Sequence, residues 1–411
     1  MSERESQYAL LLGNYRPTMV IARELRARGF RVATGLDGFE RGAALSRHVD
    51  RLWTHPKLEE DEAAFAHALS KVLARRDDIR LVVPVSEPYV RFFARGEVVL
   101  PRGVTAMMVA PQLVEACLDK RRMMATAEAA GVPVAPFAEV CDYAELIGET
   151  ERIGFPVVIR SLSSSHRLLG EKAVTVEDRA ALERLLPDWP EGHPALLVQR
   201  RASGPRQNLY FSARDGRIDS LLHVEITRTD RLDGAGLAVE GGRGDRPDLG
   251  RYTAAMIEAL DYSGIGCAQF LVDPETGATC FLEINPRFAG NHAIPAACGL
   301  DLTDRLLDVC FARSATRAGA AADTHAASLL LARGRPAWRQ VARRQGQVSN
   351  GEACRWLRRT IRARWRAQLD VGFDWRDPLP GLLAILDVLP GIGKLVRMWK
   401  IHPGWFAKDS L

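Results

Sequence analysis

One short segment of the chain reads Phe281-Leu282-Glu283-Ile284-Asn285-Pro286-Arg287. Side chains alternate along a β-strand, so its acidic, amide and guanidinium groups share one face while the aliphatic residues between them face a core. A carboxylate and an amide oxygen are hard ligands of the kind that Mg²⁺ takes, and arginine matches the geometry of phosphate. The segment therefore predicts a magnesium–phosphate site at the end of a strand.

A second polar position precedes this segment on another apolar run. Gln269 is separated from Glu283 by a turn at residues 273–277. In a hairpin of even register, Gln269 falls opposite or diagonal to Glu283 on the same face. The alternative is an edge strand with solvated polar residues, but Pro286 and the flanking apolar residues favour a buried strand end.

The same residues resemble the signature of the ATP-grasp superfamily, the carboxylate–amine ligases related to carbamoyl-phosphate synthase. Three more stretches resemble this superfamily in the right order. They are Leu118-Asp119-Lys120-Arg121 with Ala130-Gly131-Val132-Pro133, then Gly154-Phe155-Pro156-Val157-Val158-Ile159-Arg160, then Leu196-Leu197-Val198-Gln199-Arg200-Arg201 followed by Gly204. The resemblance covers residues 8–315, and its Glu-x-Asn-Pro-Arg part is the most specific.

The resemblance implies that the chain binds ATP and one or two Mg²⁺ ions, which Mn²⁺ could replace. The residues that it implies are the metal ligands Gln269, Glu283 and Asn285, the phosphate ligands Lys120 and Arg160, the hinge residues Gln199, Arg200 and Arg201 beside adenine, Gln207 or its neighbour Asn208 at the ribose, and the catalytic Arg287. A solvated lysine and a structural ion pair are the alternatives for the two phosphate ligands. One departure is a lid that lacks glycine over residues 161–169.

The first hundred residues repeat strand and helix signals. Strand-like runs occur at 8–12, 30–33 and 81–85, and helix-like runs at 18–28 and 61–75. This repetition predicts a doubly wound parallel sheet, in which ligands bind at the carboxyl ends of strands. Arg16 and Glu87 follow two strands at such ends, so we expect them to bind a substrate. His292 is a third candidate for substrate binding, with a structural histidine as the alternative.

The predicted fold class is α/β and α+β. Residues 1–113 are expected to form an N-terminal doubly wound parallel-sheet domain. Residues 114–315 are expected to form a two-lobed ATP-grasp domain with a hinge near residues 199–202. A basic, arginine-rich C-terminal extension is expected over residues 316–411.

Charge is distributed unevenly along the chain. The net charge is +5, but residues 312–368 hold 13 arginines and two acidic residues, a net charge of +11 that leaves −6 for the rest. Residues 349–369 have the spacing of a basic amphipathic helix, for which a solvated face is favoured over a surface that binds nucleic acid or anionic lipid. The apolar residues 378–405 could pack on the core or contact a membrane peripherally, and packing is favoured.

Several features restrict the class of protein. Seven cysteines are scattered without a CxxC pair, which is typical of a reducing cytoplasm. The apolar residues 8–12 are too few for the core of a signal peptide, and no apolar run is long enough to span a bilayer. The signatures of P-loop ATPases, zinc proteases and α/β-hydrolases are absent.

These patterns together predict an ATP-dependent carboxylate–amine ligase. It would form an amide or peptide bond from small-molecule substrates through an acyl phosphate, and the pattern is compatible with a homodimer. One alternative is a superfamily member that acts on a nucleotide precursor or a carbamate. The other is a non-catalytic ATP-binding or membrane-associated scaffold.

Overall fold

A computed structural model provides the structure of the chain. It describes residues 7–13, 16–36, 42–162, 166–229, 236, 238–311, 326–327, 350–370, 373–386 and 411. Three sheets organise these residues: a parallel sheet near the N-terminus and two mainly antiparallel sheets after it.

The first sheet is parallel and buried. Its strands are β1 (Tyr8–Leu12), β2 (Arg31–Leu36), β3 (Arg51–Thr54), β4 (Ile79–Pro84) and β5 (Thr105–Ala106), and its helices are α1 (Arg16–Ala27), α2 (Glu62–Arg75) and α3 (Glu87–Ala94). The spatial order is β3-β2-β1-β4-β5, so the chain adds strands on one side of β1 and then continues on its other side. All five residues of β1 are buried. The loops after β1 and β4 therefore lie side by side at one edge, where doubly wound sheets bind ligands.

A small antiparallel sheet follows two helices. The helices are α4 (Pro111–Leu118) and α5 (Lys120–Ala129), and the strands are β6 (Phe137–Val140), β7 (Val157–Ser161), β8 (Val174–Val176) and β9 (Leu196–Arg200), with α6 (Tyr143–Ile153) and α7 (Arg179–Leu185) between them. Asp119 caps α5 by accepting a hydrogen bond from the Arg122 backbone N–H at 2.9 Å. This cap fixes Lys120 at the first position of the helix.

The large sheet carries the predicted strand end. Its main strands are β10 (Arg206–Arg214), β11 (Arg217–Thr229), β12 (Ala238–Arg243), β13 (Gly264–Val272) and β14 (Thr279–Asn285), with the helices α8 (Pro247–Ala259), α9 (Ala293–Ala297) and α10 (Leu302–Cys310). Alternate residues of β10 join different cores: Leu209 packs with α8, whereas Tyr210 packs with α10 and the first sheet. The face that carries Tyr210 is thus the one turned towards the N-terminal domain.

The C-terminal extension contacts both preceding parts of the chain. It contains β15 (Ala326–Ala327), α11 (Asn350–Arg366), β16 (Leu369–Asp370) and α12 (Pro378–Leu386). The two short strands extend the large sheet beyond β12. Asp377 accepts a hydrogen bond from the Arg47 backbone N–H at 3.1 Å, and Arg23 pairs with Asp374 at 2.8 Å. Among the described residues, no helix is long and apolar enough to cross a membrane.

The sheets confirm the predicted fold class. Glu87, which was predicted to follow a strand at its carboxyl end, begins the helix α3. The short helices α3, α4, α6 and α10 were not predicted, because two or three turns give a weak periodic signal. The C-terminal part of the predicted apolar segment, residues 387–405, lies outside the described residues.

Candidate functional site

The centre of the site is a cross-strand pair on β13 and β14. Gln269 lies directly opposite Glu283, and Cys267 lies opposite Asn285. The register shifts between Gln269 and Phe270, which absorbs one extra residue in β14. The predicted register is therefore confirmed, and the two polar side chains share a face.

A chain of hydrogen bonds joins the three polar residues of the β14 end. The Asn285 amide donates to Glu283 Oε1 at 2.8 Å, and Arg287 Nη2 donates to Asn285 Oδ1 at 3.2 Å. Arg287 Nη1 also donates to the Phe288 carbonyl at 3.1 Å. These bonds fix the orientation of the carboxylate and the guanidinium, so the polar side chains at the end of the strand are preorganised.

Glu87 connects this surface to the N-terminal domain. Its carboxylate lies 3.5 Å from Arg287 Nη2 and 3.3 Å from Arg91 Nη2, one turn further along α3. Arg16 is the first residue of α1, after β1, so both predicted substrate residues lie at the carboxyl edge of the parallel sheet. Arg91 was not predicted, because only its position in the unpredicted α3 brings it to Glu87.

Two buried cations approach the same centre from the small sheet. Lys120 Nζ donates to the carbonyls of Ser161 and Leu162 at 3.1 and 3.3 Å, and Arg160 Nη2 donates to Gln199 Oε1 at 3.0 Å. The pKa of Lys120 is lowered to about 8, chiefly by burial and then by Arg160, although Glu283 and Glu87 act in the opposite direction. Burial also lowers the pKa of Arg160. An added anion would stabilise both charged forms.

A cleft brings these elements together. Its lining residues are Glu87, Cys117, Leu118, Lys120, Met123, Leu282, Glu283, Ile284 and Asn285. Arg160 Nε is buried and has no hydrogen-bond partner in the described part of the chain. A buried donor of this kind is usually paired, so it marks a place for a ligand or water.

The oxygen donors of the site suit a magnesium ion that also binds phosphate. Gln269, Glu283 and Asn285 supply one carboxylate and two amides. Within the described ranges, no group of three or more His, Cys, Asp or Glu residues could hold a metal ion by itself. Mg²⁺ is commonly held by one or two carboxylates together with the phosphates of a substrate, so the donor set fits.

Strand alternation favours Asn208 over Gln207 as a residue of this face. Asn208 lies opposite Gln269, in the same row as Glu283. Its Oδ1 atom is buried without a partner among the described residues. Gln207 points to the other face, where its Oε1 accepts a hydrogen bond from His223 Nε2 at 2.8 Å. Of the two residues that the resemblance implies at the ribose, Asn208 therefore lies on the face of the site and Gln207 does not.

The predicted hinge residues lie at the end of β9. Gln199 is buried and contacts Arg160. The backbone N–H groups of Arg200 and Arg201 donate to the carbonyls of Pro136 and Pro156, so these two N–H groups are already used. Any contact of this backbone with adenine must come from other groups, and the Arg201 side chain pairs with the exposed Glu177 instead.

His292 does not reach the cleft. Its side chain is fully buried, and Nε2 lies 3.1 Å from Glu24 Oε2 of α1. Thr303 donates a hydrogen bond to the same carboxylate oxygen. These contacts contradict a role in substrate binding and give His292 the structural role that was the alternative. The predicted lid falls mostly on residues 163–165, which lie outside the described residues.

One segment of the chain matches a known family, and a larger part of it is similar to a curated protein. Residues 243–314 match the family of the carbamoyl-phosphate synthase L chain, ATP binding domain. A curated protein of Emericella nidulans, named as a urea carboxylase, is 24% identical over 261 residues, which cover 56% of this chain and 20% of that protein. The chain thus spans about a fifth of the length of this relative.

Two solved structures share the fold at low identity. The biotin carboxylase domain of Hydrogenobacter thermophilus 2-oxoglutarate carboxylase, with MgADP, ADP and bicarbonate, has a TM-score of 0.60 and 15% identity, covering 77% of this chain and 72% of that one. The L-amino acid ligase of Bacillus licheniformis has a TM-score of 0.56 and 15% identity, covering 74% of each chain. The chain therefore shares its fold with these two proteins, and one segment of it, residues 243–314, matches the ATP binding domain family.

Proposed function

We propose that the chain is an ATP-dependent carboxylate–amine ligase that forms an amide or peptide bond with the help of Mg²⁺. One observation carries the proposal: two buried cations, Lys120 and Arg160, converge on the row of Glu283, Asn285 and Arg287. A site that concentrates cations around one carboxylate suits a polyphosphate that arrives with its metal ion.

The nucleotide side of the site is assigned by charge. Lys120 and Arg160 bind the phosphates of ATP, and the sheet face that holds Asn208 supports the ribose. Mg²⁺ held by Gln269, Glu283 and Asn285 neutralises the phosphate charge when it is bound. The protein residues contribute orientation and a fixed electrostatic environment, which are the main sources of catalysis in phosphoryl transfer.

The chemical step requires activation because a carboxylate is a poor electrophile at neutral pH. An oxygen of the substrate carboxylate attacks the γ-phosphorus, and the bond to the β-phosphate oxygen breaks, giving an acyl phosphate and ADP. The amine then attacks the acyl carbon, loses a proton and displaces phosphate. Arg287 faces the transferred phosphoryl group and stabilises the charge that develops on it.

The substrate side lies at the edge of the parallel sheet. Arg16 and Glu87 are the first residues of the helices α1 and α3, which follow β1 and β4, and Glu87 contacts Arg287. We assign them to the small-molecule carboxylate and amine. We also propose that the chain has three domains, with the limits 1–113, 114–315 and 316–411. The protein is further proposed to be a cytoplasmic homodimer.

Bicarbonate is a second candidate for the carboxylate. The structurally similar domain of Hydrogenobacter thermophilus holds bicarbonate beside MgADP, and the Emericella nidulans relative is named as a carboxylase. With bicarbonate, the same first step gives carboxyphosphate, and the amine product is a carbamate. The residues and roles given above serve either substrate.

The test is ADP release from the full chain with MgATP and a panel of carboxylate–amine pairs, bicarbonate included. We expect ADP and an amide product only when both substrates are present. ADP release with bicarbonate and an amine, and with no organic carboxylate, selects the second candidate. Nucleotide binding without ADP release across the panel would contradict ligation and support a scaffold.

A further inference from the structure

One side of α11 combines arginines with exposed apolar side chains. Arg355, Arg358 and Arg362 are exposed. Ile361 and Trp365 are 43% and 86% exposed. Residues three or four positions apart lie on one side of a helix, so these five form a continuous surface, which we call the cationic–apolar face.

One border of this face is attached to the large sheet through Arg359, the helical neighbour of Arg355 and Arg362. Arg359 Nε lies 3.8 Å from Glu240 Oε2, and its Nη2 donates to the Thr227 carbonyl at 3.5 Å. Successive helical residues turn by about 100°, so Arg359 points about 120° away from Trp365. The attachment therefore leaves Ile361 and Trp365 directed away from the sheet, while Arg355 and Arg362 lie nearer the attached border and remain exposed.

Exposed apolar side chains are concentrated in this part of the described chain. Ten large hydrophobic residues are more than a third exposed, and five of them lie between residues 361 and 382. Besides the two on α11, they are Trp375, Leu379 and Leu382, with exposures of 79%, 52% and 44%. Ile361 and Trp365 lie one turn apart on α11, and adjacent exposed apolar residues of this kind indicate an interaction surface, whereas scattered ones need no explanation.

Charge selects the kind of partner. No acidic residue occurs between Glu352 and Asp370, and the net charge of +11 over residues 312–368 contrasts with −6 elsewhere. An anionic surface would attract this segment and repel the rest of the chain. The charge distribution thus determines which part of the molecule would face such a surface.

We propose that the cationic–apolar face of α11 binds the surface of a bilayer with anionic headgroups. The arginines contact the headgroups, and Ile361 and Trp365 enter the boundary with the acyl chains, as is typical of amphipathic helices that lie on membranes. A nucleic acid would also attract the arginines, but it uses aromatic stacking and gives no favourable environment to exposed aliphatic side chains. Leu382, at the start of the apolar segment for which packing on the core was favoured, is 44% exposed.

The test is sedimentation of the full chain with vesicles of phosphatidylcholine, with and without phosphatidylserine. We expect binding only to the anionic vesicles. Arg358→Gln with Arg362→Gln should weaken this binding by about fivefold for each arginine. Ile361→Ser with Trp365→Ser should weaken it further, and brominated lipid should quench less fluorescence in Trp365→Phe than in the wild type.

Matched substitutions elsewhere control for charge and for exposed apolar area. Arg75→Gln with Arg184→Gln, and Val99→Ser, remove exposed side chains outside the extension and should leave binding unchanged. Equal binding to neutral vesicles, or no binding to anionic ones, would overturn the proposal. Unchanged vesicle binding by the Ile361→Ser/Trp365→Ser variant, with displacement by single-stranded RNA, would assign the surface to nucleic acid.

Discussion

Two buried polar networks lie near the end of β14, and they differ in how their charge is compensated. Around Glu24, burial raises the pKa of the carboxyl, but His292, Thr303 and Arg28 reverse the effect, so the pKa is lowered. Around Lys120 and Arg160, nearby acids fail to reverse the effect of burial, and both pKa values are lowered. A compensated network can join domains permanently, whereas an uncompensated pair of cations is suited to an anionic ligand.

The largest effect is expected at the metal ligand of the uncompensated network. Glu283→Gln retains size and hydrogen bonding, so the fold should persist while Mg²⁺ binding weakens and turnover falls by roughly 10³-fold. Steady-state ADP release at several Mg²⁺ concentrations measures this. Glu275→Gln, in the exposed turn of the same hairpin, is the matched control, and wild-type turnover of Glu283→Gln at saturating Mg²⁺ would refute the assignment.

The compensated network should affect stability instead of catalysis. Glu24→Gln removes the buried carboxylate that contacts His292 and accepts a hydrogen bond from Thr303, so we expect the free energy of unfolding to fall by about 3 kcal/mol. Denaturant titration measures this change. An unfolding curve identical to the wild type would show that the network does not join the domains.

The same network predicts an acid dependence of stability. Because the folded-state pKa of Glu24 lies below 4.5, its contribution is present above about pH 4.5 and is lost as the pH falls through the folded value. A glutamate carboxyl titrates between about pH 5 and pH 3. Over this range the free energy of unfolding should therefore fall less in Glu24→Gln than in the wild type. Denaturant titrations at several pH values measure this difference. An equal fall in the free energy of unfolding of the two proteins would contradict the prediction.

A smaller effect is expected at the phosphate ligand. Arg160→Ala should weaken ATP binding by about 10- to 100-fold, since a charge-assisted contact is lost, and Arg160→Lys should recover part of it. Calorimetric titration gives both affinities. Arg201→Ala is the matched control because its side chain pairs with an exposed glutamate.

The smallest effect is a pH dependence that tests Lys120. Since its pKa is about 8 and phosphate binds the protonated form, ATP affinity should decline above about pH 8, by at most about tenfold per pH unit. Lys120→Arg keeps its charge over this range and should remove the decline. A decline of the same size in Lys120→Arg would place its cause elsewhere.

The sequence predicted what depends on local periodicity. Gln269 and Glu283 were placed opposite each other because a hairpin restricts the register and a strand has a period of two. Gln207 and Asn208 could not be distinguished from the sequence, because consecutive strand residues take opposite faces and the register of β10 decides which of them faces the site. His292 was misassigned because its partner Glu24 lies 268 residues away, a contact that no local pattern reveals.

Calorimetric titration of MgATP into the full chain, without a second substrate, compares the two networks most directly. At a temperature where every variant is folded, we expect Arg160→Ala to lose at least about tenfold in affinity while Glu24→Gln binds as the wild type does. Wild-type affinity in Arg160→Ala, or an equal loss in Glu24→Gln, would contradict the assignment of the uncompensated network to the nucleotide.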